Sequence, residues 1–340
     1  MNQLVNTVNL RKPYLLFLGE ETNPLKAKTA FGLRDWAGAD CVGQTRAPGG
    51  SVDLGLPEMD AAAAHAAGAR SLLIGVTPPQ GRIPAHWAPL LLDAVRNGLD
   101  IVSGLHTPLD IVPGLAEAAA EAGVRLVDVR RPPADLPRAT GRKRSGKRVA
   151  MVGTDCALGK KYTALALARS MRAAGLDADF RATGQTGIMI AGAGIAIDAV
   201  VADFIAGAAE CISPAAAADH WDLIEGQGSL FHPAYAGVTM GLLHGSQADA
   251  LVLCHDPLRE HLVSWPDYPV PGLREARDLY LAVARLTNPQ ARLAAVSLNT
   301  SALDEAAARE ALEQAERELG VPAFDPMRTA HGRVIASIVG

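Results

Sequence analysis

The sequence predicts an α/β protein built from two parallel-sheet domains, and three observations carry that prediction. Short apolar runs alternate with Ala-rich helical patterns through most of the 340 residues. A glycine-lysine loop at residues 153–163 stands between an apolar strand and an apolar helical pattern. A proline-rich and then basic stretch, residues 130–147, interrupts the alternation once and reads as a linker.

Strand patterns in the first part fall at residues 14–18, 71–76, 101–102 and 124–127, separated by helical stretches such as 59–69. The boundary falls near residue 140, which gives domains 1–140 and 141–340. The second domain opens with a strand at 148–152, the glycine-lysine loop and a helix at 163–171. Further strands follow at 178–182, 221–225, 250–254 and 293–298. Ser301 with Asp304 forms a capping-box pattern ahead of an amphipathic helix at 305–319.

Residues 153–163 read GTDCALGKKYT. Gly153 and Gly159 let the chain curl so that backbone N–H groups face a phosphate at the positive end of the next helix, and Lys160 adds a full charge. Thr154 and Asp155 can fix the loop or meet a substrate. The five residues between the glycines match the longer spacing of dethiobiotin-synthetase-like P-loop proteins. A magnesium-dependent nucleotidase needs a hydroxyl directly after the lysine, and here that position is Lys161. Thr163 lies about 200° further round an ideal helix and replaces it poorly. A second ammonium repels a divalent cation but neutralises a phosphate, so the loop reads as an anchor for a phosphate-bearing cofactor such as coenzyme A, with no metal expected. Cys156 inside the loop reads as a small packing residue rather than a nucleophile.

Ligands of open α/β sheets collect at the carboxyl ends of strands. After the strand at 178–182, residues 183–194 read as a Gly-rich ligand loop, with Gln185 and Thr186 placed to orient a substrate. At the end of the strand at 221–225 comes Glu225, then Gln227 and His232, the best general-base region: a carboxylate at a strand end and a histidine, the side-chain type suited to proton transfer. In the first domain Lys28 follows the first strand as a possible anion contact. The loops at 75–81 and 103–106 are candidates to border an interdomain cleft.

A formal charge of -4 gives no general reason to expect nucleic acid. Four cysteines without metal-ligand spacing, and no signal-peptide pattern, fit a cytoplasmic protein. No apolar run reaches the roughly 18 residues of a membrane helix. A homodimer is the default assembly.

The motifs at 153–163, 182–190, 225–229 and 232–239 together resemble a family long catalogued as a P-loop domain of unknown function, whose characterised branch is the D-glutamate N-acetyltransferases. The resemblance spans nearly the whole chain. It implies a Rossmann-like first domain, a P-loop NTPase-like second domain, acetyl-coenzyme A as donor and D-glutamate as the small-molecule substrate. Acetyl transfer to an amine needs a base, an oxyanion donor and cations for carboxylates. Glu225 or His232 serves the first need, Gln185, Gln227 or loop N–H groups the second, and Arg181, Arg259 or Lys28 the third. Two rivals stand beside this reading: an ATP- and magnesium-dependent ligase or kinase of the dethiobiotin-synthetase type, and a non-enzymatic nucleotide-binding module.

Overall fold

The computed structural model describes residues 7–340. Two compact units divide them, one formed by Val8–Pro132 with Gln185–Ala196, the other by Pro133–Gly184 with Ile197–Gly340.

The first unit is a parallel sheet of five strands: β1 (Tyr14–Phe17), β2 (Cys41–Thr45), β3 (Ser71–Ile74), β4 (Asp100–Ser103) and β5 (Leu126–Asp128), in the order β2-β1-β3-β4-β5. β1, β3 and β4 are buried at every position, as strands covered on both faces must be. Trp87 packs edge-on against Phe17 at 4.8 Å. Buried Asp100 at the start of β4 is matched by the guanidinium groups of Arg11 and Arg125. The order reverses between β1 and β3, which places a topological switch point at their carboxyl ends.

Residues 183–194 do not form the open loop expected from their glycines. Gln185–Ala191 is a helix whose Ile188, Met189 and Ile190 are buried, and that apolar run outweighs the flanking glycines. The helix folds with the first unit, although it lies past residue 140. The Tyr14 hydroxyl donates to the Met189 carbonyl at 3.1 Å, and Lys12 Nζ to that of Ile190 at 3.0 Å. Ala193–Gly194 then pairs antiparallel with Val8–Asn9.

The second unit is a six-stranded parallel sheet: β6 (Lys147–Gly153), β7 (Ala178–Arg181), β8 (Trp221–Ile224), β9 (Ala250–His255), β10 (Arg292–Leu298) and β11 (Ala323–Phe324), in the order β11-β10-β9-β6-β8-β7. Alternation along β6 sends Val149 and Met151 into one core with the Lys160–Ala173 helix, and Ala150 and Val152 into another with the Leu273–Ala284 and Glu305–Leu319 helices. The last of these helices is capped by Asp304, whose side chain accepts the Ala307 N–H at 2.8 Å; the expected capping box with Ser301 is not the device used.

Low in this sheet, buried Asp222 accepts from Arg181, Ser213 and His220. Its carboxylate, aided by Asp177, raises the His220 pKa from 6.5 to about 9. A group whose pKa rises on folding stabilises fully below its unfolded value and loses that contribution above its folded one. The melting temperature should therefore fall as pH climbs from about 6.5 through about 9, and His220→Gln should flatten that slope in a calorimetric pH series.

Candidate active site

β6 ends at Gly153, and the segment after it curls through two left-handed residues, Ala157 at φ +51° and Gly159 at φ +100°. Such curls make concave nests of N–H groups that anions occupy. Lys160 starts the following helix and is buried, its Nζ 2.7 Å from the Asp155 carbonyl. Burial pushes its pKa down, against the pull of the neighbouring Cys254, Cys156 and Asp155. Lys161 is half-buried over the Tyr162 ring at 4.6 Å, and its ammonium acts on the carboxylate of Glu225. Thr163 is fully buried with its hydroxyl 2.8 Å from that of Ser297.

Asp155 fastens the loop. Its Oδ1 accepts the Cys156 N–H at 2.6 Å, and its Oδ2 accepts the Val263 N–H at 2.8 Å and Arg259 Nη1 at 2.9 Å. The Arg259 guanidinium donates again to the Cys156 carbonyl. The sequence offers Arg181, Arg259 or Lys28 for a substrate carboxylate; in the structure Arg259 pairs with Asp155, and Arg181 with Asp222 and Asp179. Thr154 meets His255 Nδ1 at 2.9 Å.

Beside the loop, at the carboxyl end of β8, Glu225 is buried and its Oε2 accepts the N–H groups of Thr183 and Gly184 at 2.9 and 3.0 Å. Oε1 takes no part in those bonds. Burial raises the Glu225 pKa, opposed by the two N–H groups and by Lys161. Gln227 donates to the Thr183 hydroxyl, which itself donates to the Glu225 carbonyl, so the β7 and β8 loops are knitted together. Gly226 sits so close to β6 that a Cβ would lie 1.8 Å from the Met151 carbonyl oxygen. Gly226→Ala should therefore shift β6 and cost on the order of 1–3 kcal/mol, read as a lower midpoint in urea.

His232 is enclosed between Tyr235, stacked at 4.5 Å, and Trp265, edge-on at 4.5 Å. Its Nδ1 accepts the Ala234 N–H at 3.2 Å, so the neutral ring carries its proton on Nε2, which is buried without a partner. That tautomer is a donor, not a base. Asp155, Cys156 and His232 each bring a ligand-capable atom within 4.8 Å of the others. They suit a cation poorly, because Asp155 is already filled by donors and Nε2 holds a proton.

Gln185, Thr186 and Lys28 belong to the first unit, where the Thr186 hydroxyl meets that of Thr29 at 3.1 Å and Lys28 is exposed. Thr183 carries no signal of its own in the sequence beyond its place two residues after β7. The sequence reading also misses Tyr280, whose hydroxyl donates to the Gly153 carbonyl and accepts the Leu230 N–H. Nothing in its helical pattern marks it.

Family models described as the P-loop domain and the Rossmann-like domain of a family of unknown function, DUF1611, match residues 137–335 and 40–132. The chain belongs to the DUF1611 family. Within it, a D-glutamate N-acetyltransferase of Tritonibacter scottomollicae is 49% identical over 97% of this chain and 99% of its own length. One from a Pseudoalteromonas species is 42% identical over 97% and 100%. A crystal structure of a DUF1611 protein from Anabaena variabilis superposes with a TM-score of 0.83 at 34% identity, covering 97% of this chain and 99% of that one. The Rossmann-like and P-loop architecture expected from the sequence is thus the family's own. Among the described residues, no helix is long and apolar enough to cross a membrane.

Proposed function

We propose that this DUF1611 member is a D-glutamate N-acetyltransferase using acetyl-coenzyme A. One observation carries the reading: identity of 49% and 42% over 97% of the chain to two enzymes of that name. The chemistry of the P-loop supports it. Lys160 and the N–H nest fit the pyrophosphate of coenzyme A, and Lys161 stands where a magnesium-binding hydroxyl would be needed for nucleotide hydrolysis.

Acetyl-coenzyme A supplies an activated acyl carbonyl. Lys160 and Lys161 hold its phosphates, and Glu225 takes the proton that the attacking amine must lose. Glu225 is favoured over His232 because its Oε1 lies outside the two backbone hydrogen bonds, whereas His232 offers only an N–H.

A thiol-release assay with acetyl-coenzyme A and a panel of D- and L-amino acids tests the reading. Turnover with D-glutamate and indifference to magnesium are expected. No turnover with D-glutamate at high enzyme concentration, or magnesium-dependent phosphate release from ATP, would overturn it.

A further inference from the structure

His232, Tyr235 and Trp265 form an aromatic cluster against the phosphate loop, and one face of it is open. All three belong to the second unit. The Tyr235 and His232 rings lie 4.5 Å apart with 26° between their planes, and Trp265 meets His232 edge-on. His232 is fully buried, whereas Tyr235 is 45% exposed. A ring covered on one face by a near-parallel neighbour, and still so exposed, presents its other face to solvent. Neither phosphate binding nor proton transfer uses that face.

The cluster is fixed to the loop from several directions. A ring nitrogen of His232 lies within 4.8 Å of the Cys156 sulfur and of an Asp155 carboxylate oxygen. Trp265 belongs to a short hairpin with His261–Leu262, and the Val263 N–H in that hairpin donates to Asp155 Oδ2 at 2.8 Å. The turn that carries Tyr235 is held by the Ala234 N–H on His232 Nδ1 and by the Tyr235 N–H on the His232 carbonyl, both at 3.2 Å. Gly228, at φ +65°, closes on it from behind: a Cβ there would lie 2.6 Å from the Thr239 hydroxyl and 3.0 Å from Tyr235 Cβ. A platform held in this way spares a ligand part of the ordering cost of binding.

Two features therefore stand side by side. One is the curl of N–H groups with buried Lys160, which suits phosphates. The other is an open π face, separated from that loop by the width of the His232 ring. A ligand that satisfies both has a flat ring joined by a short spacer to phosphates, which is the build of an adenine nucleotide. Stacking accepts any base by its π face and needs no hydrogen-bonding side chain at this end.

We infer that the open face of Tyr235 is the platform on which the adenine ring of coenzyme A stacks while the 153–159 loop holds the phosphates. His232 and Trp265 are positioning residues that fix the Tyr235 ring. The inference rests on the acetyl-transfer reading for the identity of the ligand, and it deepens that reading by giving a place to the part of the donor that does not react.

Calorimetry with coenzyme A and with inorganic pyrophosphate tests it. Tyr235→Ala should weaken coenzyme A binding by roughly 5–150-fold, the worth of one base stacked on an aromatic ring, and leave pyrophosphate affinity unchanged. Tyr235→Phe keeps the ring and should bind coenzyme A as the wild type does. If Tyr235→Ala fails to fold, Tyr235→Leu, which keeps apolar cover over His232 without a π face, should show the loss instead. Unchanged coenzyme A affinity in the folded variant, or an equal loss of pyrophosphate affinity, overturns the platform and leaves the acetyl-transfer reading standing. If the wild type turns over no amino acid, that reading falls by itself, and calorimetry with ADP in the absence of magnesium decides the platform. Binding that Tyr235→Ala weakens and Tyr235→Phe keeps supports it, and no binding overturns it.

Discussion

Glu225→Gln should reduce turnover of D-glutamate by roughly 10²–10⁴-fold, the range for loss of a positioned general base. The amide keeps an oxygen for the N–H groups of Thr183 and Gly184, so the loops that Glu225 joins should stay in place. Removing a buried carboxylate also removes its desolvation cost. Melting temperature and acetyl-coenzyme A affinity should therefore remain near wild type, which separates a chemical loss from a structural one. The pH profile supplies a second readout. A base works only when ionised, and burial raises the Glu225 pKa while Lys161 pulls it back. Wild-type kcat should thus fall on the acid side at a pH above the ordinary carboxylate range, and Glu225→Gln should lack that limb. Near-normal kcat with the acid limb intact would transfer the role elsewhere.

The central strands were legible because they are buried on both faces and write themselves as near-continuous apolar runs. β1, β3, β6, β9 and β10 lie where those runs predict, and β7 and β8 lie at their expected places although Asp179, Arg181 and Asp222 interrupt the apolar signal. β2 escaped because Cys41–Thr45 is an edge strand whose Gln44 and Thr45 break the apolar signal; Gln44 is buried and satisfied by Asp53 and Glu58. The glycine density of 183–194 suggests a loop, whereas Ile188, Met189 and Ile190 are buried in a helix held from far back in sequence by the Tyr14 hydroxyl on the Met189 carbonyl. Side-chain commitments were harder still. Spacing shows that Arg259 and Arg181 fall near strand ends, but it carries no information on which carboxylate each guanidinium will meet. Asp155 and Asp222 took them. The position of Glu225 was readable for the opposite reason: it directly follows a buried strand, which sets its carboxylate at the carboxyl edge of the sheet.

Lys160→Met should weaken acetyl-coenzyme A binding by roughly 10–100-fold, the worth of one charge-assisted hydrogen bond to phosphate. Methionine retains an unbranched apolar stem for the space beside Gly226, where the lysine Cδ packs. The ammonium now rests on a neutral acceptor, the Asp155 carbonyl at 2.7 Å, and burial pushes its pKa down. Its presence costs the free protein stability, because the carbonyl offsets only part of the desolvation. A phosphate would replace that carbonyl with a full negative charge and recover the difference on binding. Two effects of opposite sign follow from one substitution: affinity for acetyl-coenzyme A drops while the melting temperature of the free protein rises or holds. The KM for D-glutamate should not move. Calorimetry and thermal unfolding on the same samples check both signs, and unchanged coenzyme affinity would remove the phosphates from this loop.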